Sequence, residues 1–133
     1  VHSHENHFDA LIEMAAREKV SAFYIHPFLD GRDTPPQSAA NSLMRLTATC
    51  QRTGYGRIAS LIGRFYAMDR DKRWDRVEAA YNLLTSGKST HVADTALQGL
   101  ELAYECGETD EFVKATSIRS ENATPVTIKD GDI

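Results

Sequence analysis

The sequence is poor in cysteine and contains no long apolar run. Its two cysteines, Cys50 and Cys106, lie far apart and form no CxxC motif, so no disulfide framework is predicted and both are interpreted as reduced, packed thiols. The most apolar stretches, residues 22–25 and 58–62, are far shorter than the roughly 18 to 20 residues of a membrane-spanning helix. The sequence therefore predicts no membrane span.

Basic residues are not in excess either. The formal net charge is -4, whereas proteins that attract nucleic acid or anionic membranes through charge alone are usually basic. Neither kind of partner is predicted, and any anion site must be local. The first residues also lack the basic start and apolar centre of a secretory signal, which predicts a cytoplasmic protein.

The composition is that of one globular domain. The 133 residues are 41% hydrophobic and 26% charged, and a chain of this length buries roughly 65 to 70% of its unfolded surface. No linker, repeat or low-complexity tract divides the chain, so residues 1–133 are predicted to form a single domain. A strand is expected before the first helix and another after the last residues, and we interpret the chain as part of a longer protein.

Helical and strand patterns alternate along the chain. Helices are predicted at residues 4–19, from Pro35 and Pro36 to Gly54, at 71–84 and at 94–105, and strands at 21–25, 57–62, 116–118 and 125–128. This order predicts an α/β fold with a mainly parallel sheet flanked by helices and an antiparallel addition near the C-terminal edge.

Single residues indicate the ends and inner faces of these helices. Ser3 is predicted to cap the first helix, and Gly54 and Gly87 to end the second and third. The residues expected to face the core are apolar and recur at helical spacing: Phe8, Leu11, Ile12, Ala15 and Ala16 in the first helix, and Trp74, Val77, Tyr81 and Leu84 in the third.

Ligands of parallel sheets bind in the loops beyond the carboxyl ends of the strands, and three polar regions of this chain are candidates. In the first, His2, His4 and His7 superficially resemble a metal site. His4 and His7 also lie at helical spacing and suit surface or packing positions, so no metal site is predicted in this chain. His2 is predicted to contact an anion.

The second region, residues 26–36, places Arg32 beside Asp33. A planar guanidinium binds carboxylate or phosphate through two parallel hydrogen bonds, and a neighbouring carboxylate can accept a proton. The alternative is an ion pair between the two side chains that only braces the loop. The dipeptide alone favours this alternative.

The third region, residues 63–76, carries five basic residues among acidic ones. Most of them suit an exposed helix face with local ion pairs, which contribute little individually. Arg64 differs, because it follows Gly63 at the end of a strand and would point into the cleft, and Arg70 could reach the same space. A nucleic-acid patch is the rival interpretation, which the interleaved acids disfavour.

Three strings together identify a family resemblance. The strings VHSH at 1–4, FLDGRD at 28–33 and GRFYAMDRDKRWDR at 63–76 resemble the cofactor-independent phosphoglycerate mutases. The third string is long and highly specific, and the similarity continues through residues 77–81 and 110–113, so it covers nearly the whole chain.

The resemblance implies the transferase, or substrate-binding, domain of a two-domain enzyme. It implies substrate contacts at His2, Arg32, Asp33, Arg64 and Arg70, with Asp33 as the catalytic residue. The nucleophilic serine and two manganese ions are implied on a phosphatase-like domain outside this chain. No cofactor is therefore expected in this chain, and its implied partners are that domain and the phosphoglycerates.

The implied reaction belongs to glycolysis and gluconeogenesis. The serine takes the phosphoryl group from 3-phosphoglycerate, the glycerate stays bound and re-orients, and its 2-hydroxyl takes the phosphoryl group back. The chain alone is expected to be inactive. The alternative is an anion-binding domain of a related phosphotransferase that acts on another phosphorylated hydroxy acid.

Overall fold

The structure is a computed structural model and describes residues 4–132. The helices are α1 (Asn6–Arg17), α2 (Ala39–Thr53), α3 (Arg64–Ala67), α4 (Trp74–Ser86) and α5 (Ala96–Glu105), with a 3₁₀ turn at Asp110–Phe112. The strands are β1 (Tyr24–Ile25), β2 (Phe28–Leu29), β3 (Arg57–Ile58), β4 (Ser60–Gly63), β5 (His91–Ala93) and β6 (Thr116–Ile118). His2 and Ser3 lie outside the described residues, and because Glu5 directly precedes α1, the predicted cap at Ser3 is placed too early.

Two small sheets confirm the predicted α/β fold. Strands β1 and β3 form a parallel pair, and the second sheet has the order β2-β4-β6-β5. In this second sheet only the β4 and β6 pairing is antiparallel. Strand β6 comes from the C-terminal part of the chain, as predicted, but it lies inside the sheet because β5, which the sequence analysis missed, pairs with its outer side.

Helices cover both faces of the larger sheet. Leu61 and Ile62 are neighbours in β4, point to opposite faces and are both fully buried. Leu61 packs in a cluster with residues of α2 and α5, whereas Ile62 packs with residues of α4. Burying a side chain of this size stabilises the fold by about 1.5 to 3 kcal/mol. Strand β4 is therefore central, and its carboxyl end at Gly63 has a fixed position.

The predicted helix ends at glycine are confirmed. Gly54 follows α2 with φ 66°, and Gly87 follows α4 with φ 68°, which is the left-handed conformation that glycine adopts at low cost. Helix α5 begins with a capping box, in which Thr95 accepts from the backbone N–H of Gln98 and the Gln98 side chain accepts from that of Thr95.

The start of α2 depends on a distant residue. The sequence predicts that Pro35 and Pro36 open this helix, but α2 begins at Ala39. The backbone N–H groups of Ser38 and Ala39 donate to Asp110 Oδ2 at 2.8 and 2.9 Å, and Asp110 is only 1% exposed. The cap therefore comes from a side chain about 70 positions further along the chain, which local patterns do not reveal.

Four of the predicted inward-facing residues are exposed. They are Phe8, Leu11, Trp74 and Tyr81, with Trp74 72% exposed. In α1 only Ile12 and Ala15 are buried, because part of its interface with α2 is polar and holds Asp9 against Arg45 and Thr49. In α4 the buried residues are Ala80 and Leu83, so the core-facing stripe is narrower than the apolar pattern indicates.

Two further expectations are wrong. Residues 125–128 form no strand; the backbone N–H of Ile128 donates to the carbonyl of Leu84, so this segment contacts the C-terminal turn of α4 instead of a sheet. Cys106 is exposed and only Cys50 is buried, although both are free thiols. Among the helices in residues 4–132, none is long and apolar enough to cross a bilayer.

Candidate anion-binding site

The register of β2 and β4 brings two of the predicted loops together. The strands are parallel, and Leu29 lies opposite Gly63. Because both strands end at the same edge, the loop that begins at Asp30 and the helix that begins at Arg64 leave the sheet side by side. The sequence predicted this geometry, since ligand-binding loops were expected beyond the carboxyl ends of parallel strands.

Arg64 is held by two carboxylates of the neighbouring loop. Its Nη1 donates to Asp30 Oδ1 at 2.5 Å and to Asp33 Oδ2 at 2.7 Å, and its side chain is 18% exposed. Hydrogen bonds from Arg64 to Asp30 and Asp33 raise the pKa of Arg64, so the guanidinium stays charged. Asp33 therefore pairs with Arg64, and the predicted internal pair between Arg32 and Asp33 is not among the contacts of residues 4–132.

Asp30 shapes the loop that carries Arg32 and Asp33. Its Oδ1 accepts hydrogen bonds from the backbone N–H groups of both residues as well as from Arg64. Burial opposes ionisation of Asp30, but the hydrogen bonds from Arg64 and from this backbone outweigh it and hold the pKa of Asp30 below its usual value. The hydrogen bond from Arg64 to Asp30 was not predicted from the sequence.

The 3₁₀ turn at Asp110–Phe112 packs against both arginine-bearing segments. Gly31 has φ 63°, and a Cβ at this position would lie 2.6 Å from the backbone nitrogen of Glu111. A Cβ at Gly63 would lie 2.2 Å from the carbonyl oxygen of Glu111. Neither position accepts a side chain without a backbone shift, so glycine allows the three segments to approach closely.

Arg32 is more exposed than Arg64 and faces this turn. Its Nη1 lies 3.7 Å from Glu111 Oε1, and the two side chains are 63% and 16% exposed. The distance is too long for a hydrogen bond, so Glu111 attracts the guanidinium without fixing its orientation. Glu111 could not be predicted from the sequence, because 79 positions separate it from Arg32 and no local pattern links them.

The three predicted arginines line one small cleft of about 100 Å³. Arg32, Arg64, Arg70 and Arg76 contribute to its walls together with Asp69, Asp71, Glu111, Phe65 and Met68. Asp33 reaches this site through its hydrogen bond to Arg64. The guanidinium groups of Arg32, Arg64 and Arg70 can bind a phosphate or a carboxylate by charge-assisted hydrogen bonds. A larger cleft of about 280 Å³ beside α4 contains none of the predicted site residues.

Arg76 links the segments of this cleft. Its guanidinium lies 3.9 Å from the centre of the Phe65 ring, and its Nη1 donates to Asp69 Oδ1 at 3.0 Å. Phe65 in turn packs against Phe112, with the ring centres 4.9 Å apart. Arg76 was predicted to lie on an exposed helix face, but its side chain is only 18% exposed.

The described residues do not fit a metal centre. In residues 4–132, no group of three or more histidine, cysteine, aspartate or glutamate side chains is placed to hold a metal ion. The Nδ1 atoms of His4 and His7 instead accept hydrogen bonds from the backbone N–H groups of Asn6 and His4, at 3.1 and 3.2 Å. Both histidines are exposed and bond the backbone at the start of α1, which matches the surface interpretation of their spacing.

Comparison with known proteins places this chain in a family. The family described as BPG-independent PGAM N-terminus matches residues 1–133. Proteins named 2,3-bisphosphoglycerate-independent phosphoglycerate mutase, from Methylobacillus flagellatus and Coxiella burnetii, are 58% and 57% identical to the chain over 133 residues. Each match covers 100% of this chain and 26% of the relative.

A solved structure supports the same similarity. Phosphoglycerate mutase from Leishmania mexicana, crystallised at low cobalt concentration, superposes with a TM-score of 0.89 at 29% sequence identity. The match covers 99% of this chain and 26% of the other. The chain thus spans about a quarter of the length of the relatives that it matches.

Proposed function

The chain belongs to the family formed by the N-terminal region of the 2,3-bisphosphoglycerate-independent phosphoglycerate mutases, and we propose that it holds the phosphoglycerate in such an enzyme. The whole enzyme interconverts 3-phosphoglycerate and 2-phosphoglycerate. In this proposal residues 1–133 form one transferase domain of a larger two-domain protein. The observation that supports it best is the convergence of Arg32, Arg64 and Arg70 on one cleft.

The chemistry of the substrate suits this cleft. A phosphoglycerate carries a phosphate and a carboxylate, and a guanidinium can donate two parallel hydrogen bonds to either group. Arg64 is already oriented by Asp30 and Asp33, so little side-chain entropy remains to be lost on binding. Arg32 and Arg70 are more exposed and would close on the substrate after it enters.

Asp33 is proposed to manage the proton of the glycerate hydroxyl. Its carboxylate contacts Arg64 and is 77% exposed, so it can reach a ligand in the cleft. Before the hydroxyl attacks a phosphoryl group, its proton must leave, and a positioned carboxylate accepts it. Holding the glycerate in place during re-orientation is the task of the arginines, since the intermediate must not diffuse away.

The remaining parts of the enzyme lie outside this chain in our proposal. The resemblance places the serine that forms a phosphoserine intermediate, and two manganese ions, on a phosphatase-like domain. His2, which precedes the described residues, remains a predicted substrate contact, and a cytoplasmic location remains a prediction.

Arg70 and Arg73 provide a matched test of the cleft. Both lie in the basic segment before α4, but Arg70 lines the cleft, whereas the Arg73 side chain pairs with Asp75. In the full-length mutase, Arg70→Ala should raise KM for 3-phosphoglycerate about 10- to 100-fold, as expected for losing hydrogen bonds to a charged group. Arg73→Ala should change KM by less than about twofold, because it removes only an exposed ion pair.

The comparison also tests the rival interpretation. If the segment were a diffuse basic surface, the two substitutions would weaken binding equally. Steady-state kinetics with 3-phosphoglycerate gives KM for both variants and decides between these outcomes. The same measurement with other phosphorylated hydroxy acids tests the alternative substrates. Equal losses for Arg70→Ala and Arg73→Ala would contradict the proposed site.

A further inference from the structure

The segment from Asp69 to Arg73 is wrapped around one buried carboxylate. The Asp69 side chain is only 1% exposed, and its Oδ2 accepts hydrogen bonds from the backbone N–H groups of Asp71 at 3.1 Å and Arg73 at 2.8 Å. Its Oδ1 accepts from Arg76 Nη1 at 3.0 Å. Three donors compensate this buried charge. Because two of them are backbone N–H groups, this arrangement fixes the path of the backbone at residues 71 and 73.

The backbone of this loop adopts an unfavourable conformation at one position. Lys72 has φ 58°, in the left-handed region that residues with a Cβ rarely occupy. Such a conformation persists only where the surrounding contacts impose it. The two hydrogen bonds from Asp71 and Arg73 to Asp69 flank Lys72 and provide that constraint.

The same carboxylate connects the loop to the rest of the cleft. Arg76 bonds Asp69 and lies over the ring of Phe65, which directly follows Arg64 in α3. The contact chain Asp69, Arg76 and Phe65 therefore sets the distance between the Arg70 loop and the Arg64 helix. Asp71 also lies 3.6 Å from Arg76, but its side chain is 79% exposed, so solvent screens that pair.

Arg70 itself has no comparable anchor. Within residues 4–132 its side chain forms no ion pair with any of the neighbouring acids, and the residue is exposed. Its position in the cleft consequently depends on the backbone that carries it. We infer that Asp69 is the positioning residue for Arg70, and that it holds this arginine ready for the phosphoglycerate without contacting the ligand.

This inference rests on the proposed function of Arg70, so the experiment separates the two. In the full-length mutase, KM for 3-phosphoglycerate is measured for Asp69→Asn, Arg70→Ala and the double variant. Asp69→Asn keeps the shape of the side chain but replaces an acceptor with an amide, and it should raise KM about tenfold. In the Arg70→Ala background it should raise KM no further, since residues that act through one another give non-additive effects.

Asp75→Asn is the matched control. Asp75 loses the same charge in the same region, but its side chain is 67% exposed and pairs with Arg73. Hydrogen exchange supplies a readout that does not depend on the substrate. The amides of Asp71 and Arg73 should exchange about tenfold faster in Asp69→Asn and at an unchanged rate in Asp75→Asn.

The outcomes are distinct. Unchanged KM in Arg70→Ala would overturn the proposed function of Arg70, while amide exchange would still report on whether Asp69 orders the loop. Unchanged exchange in Asp69→Asn, or KM effects that multiply in the double variant, would overturn the inference. If Asp69→Asn does not fold, Arg76→Lys replaces it in the comparison of single and double variants. Arg76→Lys should raise KM by less than Asp69→Asn, and this rise should likewise disappear in the Arg70→Ala background.

Discussion

At the scale of single residues, the cleft combines arginines with carboxylates. Arg64 faces Asp30 and Asp33, Arg32 faces Glu111, and Arg76 faces Asp69. An acid beside a guanidinium lowers the local attraction for an anion but holds the donor in a defined direction. An anion in the cleft must therefore compete with these carboxylates for Arg32 and Arg64, so the proposed site should bind phosphoglycerate moderately and release it readily.

Asp33→Asn separates proton transfer from simple bracing. If Asp33 accepts the glycerate proton, the full-length variant should still form phosphoserine from 3-phosphoglycerate but return the phosphoryl group to glycerate about 100- to 10,000-fold more slowly. Loading should change less, because in the proposed mechanism it depends more on the serine of the other domain than on this carboxylate. Rapid-quench measurement of phosphoenzyme formation and decay gives both rates.

Asp30→Asn is the control for that prediction. Asp30 bonds the same Arg64 nitrogen as Asp33 but is proposed to brace the loop only. Its substitution should weaken loading and return together, through poorer binding. Equal slowing of both steps in Asp33→Asn would give Asp33 the same bracing role and would refute proton transfer.

At the scale of elements, the 3₁₀ turn at Asp110–Phe112 joins the site to the core. Asp110 caps α2, accepts a hydrogen bond from the Tyr104 hydroxyl and lies in the turn that packs against Gly31 and Gly63. Burial, together with the hydrogen bond to Asp110, raises the pKa of Tyr104, so its hydroxyl stays a donor. One buried carboxylate thus fixes a helix start and the spacing of two arginine-bearing segments.

Asp110→Ala should therefore destabilise the fold strongly. It leaves two backbone donors of α2 and the Tyr104 hydroxyl without their buried acceptor, and we expect a loss of about 2 to 4 kcal/mol in the free energy of unfolding. Tyr104→Phe removes one of these hydrogen bonds and should cost about 1 kcal/mol. Urea unfolding of both variants measures the difference. A loss below that of Tyr104→Phe would show that water replaces the cap.

The elements that sequence patterns predicted are those whose causes are local. Gly54 and Gly87 end their helices because left-handed backbone favours glycine, and the largely apolar residues 58–62 are all buried, as expected where a sheet is covered on both faces. Strand β5 was missed because its three residues, with Val92 37% exposed, show no apolar run. Its place depends on pairing with β6, which a local pattern does not contain.

At the scale of the whole molecule, the site is a product of topology. The convergence of the segments that carry Arg32 and Arg64 could be predicted from the sequence, because parallel strands end at one edge. Their partners Asp30 and Glu111 could not be predicted in the same way. Asp30 lies 34 positions from Arg64, and Glu111 lies 79 positions from Arg32. The net charge of -4 likewise conceals a cluster of four arginines, because charge balance over a sequence carries no information on where side chains converge.

The isolated chain of residues 1–133 is predicted to fold without mutase or phosphatase activity, with or without manganese. Its two apolar clusters lie on both faces of β4 and give it a core of its own, which a cooperative thermal transition followed by circular dichroism would reveal. Activity should be absent because the serine and the metal sites are proposed to lie on the other domain. Turnover of 3-phosphoglycerate by the purified chain would contradict this division.

The same isolated chain should bind 3-phosphoglycerate only weakly, with a Kd above about 100 µM, or less than about 5.5 kcal/mol of binding free energy. The cleft measures about 100 Å³, Arg64 already faces two carboxylates, and Arg32 is 63% exposed, so solvent screens much of its attraction. Calorimetry with Arg64→Ala as the control assigns any signal to the cleft, because this substitution should abolish it. Submicromolar binding that Arg64→Ala removes would mean that this chain alone provides most of the affinity for substrate, and that the other domain contributes chemistry and little binding.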